Sequence, residues 1–313
     1  MPHDHDRVSG APAGPDRADL TPAFRLAVIL NVVYVVFEAA AGFWTGSLAL
    51  LADAAHNLTD VAGLLLAWAA AVLAGRAATA KFTYGFGRAT ILAALTNAVL
   101  ILIGAGMVIW EALQRFEAPP EVPGGTVMMV ALAGIAVNAG SALLFRSHAH
   151  GGAHGHAHAQ GGDLNARGAY LHLVADAAVS LAVVLAAAGI MATGWQWLDP
   201  VVAILVSVLI AYTAWDLLRR ALDAVMDAVP EGINREAAAE FLAAQPGVVD
   251  VHDLHIWPLG TTEVAMTAHL VMPEGEGDDG FLPALRTELR RRFSIDHATI
   301  QIERARQPDC PDH

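Results

Sequence analysis

Cysteine is nearly missing from this 313-residue chain: Cys310 stands alone, which excludes an intrachain disulfide framework. Charge is scarce as well. Only 16% of residues are charged, where a soluble protein carries about a quarter, and 55% are hydrophobic. A mean hydropathy of +0.47 points the same way, to a chain embedded in a membrane. Net charge is −13, about half of the acidic residues follow residue 230, and no basic patch is present. That balance excludes nucleic acid as a partner. The opening "MPHDHDRVSGAPAGPDRADL" is polar and rich in Pro and Gly, so no cleavable signal peptide is expected.

What the sequence has in abundance is long apolar runs. Spanning hydrocarbon takes about 20 apolar residues in a helix. Six stretches qualify, near 24–44, 48–75, 86–113, 123–146, 167–193 and 198–219. The N-terminal arm and even-numbered loops carry Arg7, Arg17, Arg25, Arg76, Lys81, Arg88, Arg146, Arg167, Arg219 and Arg220. The odd-numbered loops carry little basic beyond Arg115, beside Glu117, Glu121 and Asp199. The positive-inside rule then expects both termini in the cytoplasm. An Ala/Gly-rich, Lys-poor composition leans towards a bacterial plasma membrane.

After residue 232 the pattern changes to that of a soluble domain. "NREAAAEFLAAQ" and "FLPALRTELRRRF" read as amphipathic helices, the first capped by its Asn; "VVDVHDLHIWPL", "TEVAMTAHLVM" and "HATIQIE" read as strands. The order α-β-β-α-β fits one sheet covered by helices on one face. The expected fold class is therefore α-helical membrane protein, a six-transmembrane-helix bundle followed by a small α+β domain. The expected divisions are an arm over 1–23, the bundle over 24–219, the domain over 220–306 and a tail over 307–313.

Inside the second apolar run lies "HNLTD" (56–60), and "HLVAD" (172–176) repeats its spacing inside the fifth. Each ionisable group near a bilayer centre costs roughly 2.5–3.5 kcal/mol, so something must compensate these four. Residues four apart share a helix face, which pairs His56 with Asp60 and His172 with Asp176. If spans two and five pack together, two imidazoles and two carboxylates meet around one point, a tetrahedral set that zinc accepts. A dication offsets the two carboxylates outright. The alternative, two internal His/Asp ion pairs, has to explain why the same spacing occurs twice and nowhere else. Asp53 and Asn57 extend the polar face of span two. Glu38, with Asn31 seven residues earlier, and Asn97 admit two readings, a water-filled path or a hydrogen-bonded helix contact, and neither is expected to be a metal ligand.

Together these features resemble the cation diffusion facilitators, over essentially the whole chain: six spans, HxxxD in the second and fifth, a His-rich loop after the fourth, and a terminal "HDLHIW" with "ATIQIE". The similarity is to zinc-exporting members with two His and two Asp in the transport site. It implies His56, Asp60, His172 and Asp176 as that site, a homodimer, a ferredoxin-like cytoplasmic domain, and exchange of Zn²⁺ against protons. One departure is plain. Some members bind a further metal in the loop between spans two and three through Asp and His, whereas "AATAKFTYGFGRA" has neither, so no metal is expected there. Arg88 stands where relatives have a basic residue that locks the dimer, with Asp223 or Asp227 as its partner.

The resemblance also implies a second metal site in the soluble domain, on His252, His269 and Glu303, with His297 as a possible fourth ligand. Strand alternation places some of these, and His255, on one sheet face. The competing reading is histidines that only hydrogen-bond at a domain interface. In the loop at 147–162, His148, His150, His154, His156 and His158 are interleaved with Gly and Ala; they either hold metal loosely or form a plain flexible linker. His3 and His5 are similar; Cys310 with His313 has a spacing zinc tolerates, and the competing reading there is a frayed, unliganded tail.

The expected function is a secondary active transporter, not an enzyme, exporting Zn²⁺ and with Co²⁺ or Cd²⁺ as possible passengers. Two imidazoles with two carboxylates suit Zn²⁺ better than the oxygen-loving Mg²⁺ or Mn²⁺. The rivals are a membrane-anchored metal sensor, which would need only the soluble domain, and a membrane metalloenzyme, for which no HExxH-type helix is present. A passive channel would show a wider polar lining.

Overall fold

The computed structural model describes residues 22–149, 160–275 and 280–306, with side chains over 29–140, 175–275 and 280–306. Six long helices come first: α1 Pro22–Thr45, α2 Leu48–Ala74, α3 Arg88–Gln114, α4 Gly124–Ala149, α5 Gln160–Thr193 and α6 Leu198–Val225. They match the six apolar runs closely, and two overrun them: α5 starts before 167, and α6 runs past 219. The latter extension is amphipathic, with Leu218, Ala221, Leu222 and Val225 continuing the helical spacing into a segment rich in Arg and Asp. Four helices are long and apolar enough to cross a membrane over their described residues, Leu48–Ala74, Arg88–Gln114, Ala175–Thr193 and Leu198–Val225. The described parts of α1 and α4, Ile29–Thr45 and Gly124–Gly140, are shorter apolar helices. Exposed tryptophans mark one end of the bundle: Trp44 closes α1, Trp110 lies in the last turns of α3, and Trp195 and Trp197 stack between α5 and α6. An aromatic belt of this kind belongs at a membrane–water interface.

At that same end a buried carboxylate organises the bundle. Asp199, in the first turn of α6, accepts hydrogen bonds from the Ser47 hydroxyl and from the backbone N–H groups of Leu48 (2.7 Å) and Ala49 (3.3 Å). Ser47 in turn accepts from the Leu50 N–H. The free N–H groups that every helix N-terminus presents are thus satisfied for α2 by a side chain from α6. Arg115, just past α3, donates to the Gly46 carbonyl at the α1–α2 turn. These bonds fix where α2 begins, and so where each of its polar residues points.

The soluble domain is α7 Arg235–Ala243, β1 Asp250–Pro258, β2 Val264–Val271, α8 Phe281–Phe293 and β3 His297–Glu303, in the α-β-β-α-β order expected. Asn234 caps α7, accepting from the Ala237 N–H. β1 pairs antiparallel with β2, and β2 parallel with β3 after the α8 crossover, giving the sheet order β1-β2-β3. Met266, Ala268 and Leu270 face Leu242, Leu285 and Leu289 in the core. The opposite sheet face therefore carries Thr267, His269, Gln301 and Glu303.

Two glycines join the halves. A Cβ on Gly87, just before α3, would lie 2.7 Å from the Leu259 carbonyl oxygen, and one on Gly260 would lie 2.9 Å from the Gly87 oxygen. Only glycine allows backbone this close to backbone. The Thr261 N–H also donates to the Thr90 hydroxyl, and Arg88 makes a 2.7 Å salt bridge to Asp227 of the same chain, one of the two acids expected as its partner.

Candidate metal centres

The first centre lies within the helices. His56 and Asp60 project from α2, and the His56 Nε2 lies 3.9 Å from Asp60 Oδ2 and 3.2 Å from Asp176 Oδ1 on α5. These ligand atoms all fall within 4.8 Å of one another, close enough to share one ion. α2 and α5 meet over a short stretch only, while α2 packs along α3 and α6, and α5 packs along α4. The three candidate ligands thus bridge two helices that share little other contact. A cavity of about 20 Å³ adjoins His56, lined also by Thr59, Ile101, Gly104 and Ser207. That is room for about one water molecule or a small ion. His172 belongs to α5 one turn before Asp176, the right place for a fourth ligand, and its side chain lies outside the described residues.

A second polar group sits beside this centre. Glu38 on α1 is fully buried; its Oε1 accepts from the Tyr34 hydroxyl at 2.7 Å and its Oε2 from the Asn57 amide at 3.2 Å. Tyr34 is also 3.2 Å from the Val130 carbonyl of α4. Asp53, fully buried one turn before His56, accepts from the Ser180 hydroxyl of α5 at 2.8 Å. Of the two sequence readings for Glu38, the hydrogen-bonded helix contact is the one seen. Ser180 and Asp199 drew no attention in the sequence as site-building residues. Ser180 is one turn beyond Asp176, and that spacing was a usable signal.

The second centre is on the open face of the soluble sheet. His252 Nε2 lies 3.4 Å from Glu303 Oε2, and His269 Nδ1 lies 3.2 Å from Glu303 Oε1. All three offer ligand atoms within 4.8 Å of one another. Both His252 nitrogens and Glu303 Oε2 are buried without a hydrogen-bond partner, although the pair is close. Orphaned buried polar atoms are costly, and a cation among them removes the cost. The residues therefore fit a bound metal.

Strict alternation along β1 would put His252 on the same face as Leu254 and Ile256, in the core. A β-bulge between His252 and His255 inserts one residue, with Asp253 at φ 53°, and turns His252 towards His269 instead. Asp253 then lies 3.5 Å from His269 Nε2 and 2.8 Å from His255 Nε2. His269 so faces Glu303 through one nitrogen and a carboxylate through the other, the arrangement that orients metal-binding histidines. His297 shares the sheet face but pairs with Ala265, four residues along from the level of His269 and Gln301. It lines a cleft of about 510 Å³ between the halves, with Arg76, Thr90 and Glu263, and is not brought to the other three. The loop set His148, His150, His154, His156 and His158, and the tail pair Cys310 and His313, lie outside the described residues or have undescribed side chains.

Residues 24–226 match the cation efflux transmembrane domain, and residues 230–305 match the cytoplasmic domain of cation efflux proteins, a dimer-forming unit. The chain belongs to the cation efflux family. Among curated cation efflux proteins, it is 34% identical over 99% of its length to the metal cation efflux system protein CzcD of Cupriavidus metallidurans, covering 93% of that protein. It is 35% identical to the zinc transporter ZitB of Escherichia coli, over 99% of this chain and 96% of that one. A cadmium, cobalt and zinc/H(+)-K(+) antiporter of Bacillus subtilis is 32% identical over 89% of this chain and 87% of its own. The family resemblance drawn from "HNLTD", "HLVAD" and "HDLHIW" is thereby established, and with it the cation efflux fold, a helical membrane domain followed by a cytoplasmic one.

Proposed function

We propose that this protein exports Zn²⁺ from the cytoplasm in exchange for protons, by alternating access at His56, Asp60, His172 and Asp176. The observation that carries the reading is the convergence of His56, Asp60 and Asp176 from two helices, inside apolar helix surfaces that otherwise hold no reason for three ionisable groups. Relatives named as zinc transporters and as a metal/proton antiporter support the substrate and the exchange.

The ligands bind metal only when deprotonated, so protons and Zn²⁺ compete for the same atoms. Histidine, with a reference pKa of about 6.5, makes that competition effective near neutral pH. Opening to the cytoplasm loads Zn²⁺ on His56 Nε2 and the carboxylates; opening to a more acidic exterior returns protons to those atoms and releases the ion. Charge asymmetry of the loops supports an orientation with both termini in the cytoplasm of a bacterial inner membrane. The bundle and the soluble domain divide near residues 219–230, and the protein works as a homodimer through the latter. His252, His269 and Glu303 would hold a resident Zn²⁺ there, whose charge ties three side chains from three strands into one unit.

The test is Zn²⁺ uptake into proteoliposomes under an imposed pH gradient, comparing the native protein with Asp176→Ala. Gradient-driven uptake that the substitution abolishes is the expected result. Equal flux in both would make the membrane cluster structural, and no flux in the native protein would favour a sensor whose metal chemistry is confined to the cytoplasmic domain.

A further inference from the structure

We infer that Glu38 and Asp53 form a separate proton-binding site, which gives up its proton when Zn²⁺ occupies the neighbouring ligands. The inference rests on the exchange reading above and says where one of the exchanged protons resides.

Hydrogen-bond accounting leads to it. The two fully buried carboxyls present four oxygens. Tyr34, Asn57 and Ser180 supply a donor to Glu38 Oε1, Glu38 Oε2 and Asp53 Oδ2 respectively. The fourth, Asp53 Oδ1, has no partner. Asp53 and Asn57 lie four apart on one face of α2, and Asn57 reaches Glu38, so the two carboxyls share one buried polar cluster. Two ionised carboxylates held together away from water repel, and a single proton within the cluster relieves the repulsion and can give the orphan oxygen a hydrogen bond.

Among the described residues of these four helices no permanent cation faces the pair. No Lys or Arg occurs in α1 from 29, in α2, in α4 up to 140, or in α5 from 175. The titratable groups facing Glu38 are Tyr34 from its own helix and Asp53 from α2; α4 contributes none over 124–140. His56 follows Asp53 by three residues on α2, and Asp176 precedes Ser180, the partner of Asp53, by four on α5; both are proposed metal ligands. A dication arriving there lies about one helical turn from Asp53, near enough to favour the fully ionised pair. The proton leaves as Zn²⁺ enters, and returns when Zn²⁺ departs. Among the described ligands, His56, Asp60 and Asp176, none bonds to Glu38, so this proton is additional to those displaced from them.

The experiment counts protons released per Zn²⁺ bound by the full-length protein in weak buffer with a pH dye, for the native chain, Glu38→Gln and Asp53→Asn. Glutamine can still accept from Tyr34 and can donate its amide to Asp53, mimicking the protonated acid. The expected result is a loss of about one proton per Zn²⁺ in either variant, with Zn²⁺ still bound at the membrane centre and with uptake less sensitive to the gradient. An unchanged proton count in both variants overturns the proposal, even if transport falls, since that pattern belongs to a structural contact. Native protein that exchanges Zn²⁺ for protons while both variants release the native number sinks this site alone. Native protein that shows no exchange sinks the transport reading instead.

Discussion

The two candidate metal centres use the same side-chain chemistry on opposite kinds of scaffold. In the membrane, His56 and Asp60 owe their common direction to helical spacing, and Asp176 arrives from a helix that α2 barely touches. In the cytoplasm, His252, His269 and Glu303 come from three hydrogen-bonded strands, and Gln301 and Asp253 brace Glu303 and His269. The first set stands beside a second buried carboxyl pair; the second is held from outside by side chains that fix its geometry. The difference suits the two proposed tasks. A carrier site must be able to lose its ion, whereas a resident ion is best served by ligands that cannot separate.

That contrast can be broken or sharpened in order of effect. Replacing His56 by Asp swaps an imidazole for a carboxylate in the membrane set, and the oxygen-loving Mn²⁺ should then compete with Zn²⁺ far better than in the native protein, as read by transport competition. Unaltered competition would mean that histidine is not the filter. In the soluble domain, Glu303→Ala should leave the membrane centre loading Zn²⁺ while one bound ion per chain disappears in equilibrium dialysis. The stabilisation that excess Zn²⁺ gives the native domain, about 2.7 kcal/mol at a hundredfold excess over Kd, should vanish from its thermal unfolding. If transport instead stops, the two centres are not separable. Asp199→Ala removes the cap of α2 and should cost about 1–2 kcal/mol of stability, weakening Zn²⁺ binding at His56 without touching a ligand. The smallest change belongs to Arg88→Ala. Its bridge to Asp227 is half-exposed on both sides, so stability should fall by under about 1 kcal/mol, and any larger loss would place this pair in the dimer contact.

Much of this was legible from residue order, for physical reasons that differ by region. Helical periodicity is rigid, so the HxxxD repeats announced a shared face, and the apolar runs announced the bundle to within a few residues. Sheet alternation is rigid only until a bulge intervenes. Strict alternation sends His252 into the core with Leu254; the extra residue at Asp253 reverses it, and nothing in the local composition marks that insertion. His297 illustrates the converse, since it shares the right face but sits at the wrong level, which depends on the register of a parallel pair. Asp199 read as a loop acid, because its partners, Ser47 and the start of α2, are 150 or so residues away in sequence. Long-range partnership of that kind carries no periodic signature.

The short meeting of α2 with α5 has a mechanical consequence. α2 is tied to α6 by the Asp199 cap and packs along α3, whereas Asp176 rides on α5 beside α4. The cluster of His56, Asp60 and Asp176 therefore spans two helices that share little other contact. In the proposed carrier, an ion drawing these three side chains together would hold α2 to α5 and its departure would free them, so that occupancy and shape change become one event seen from two sides.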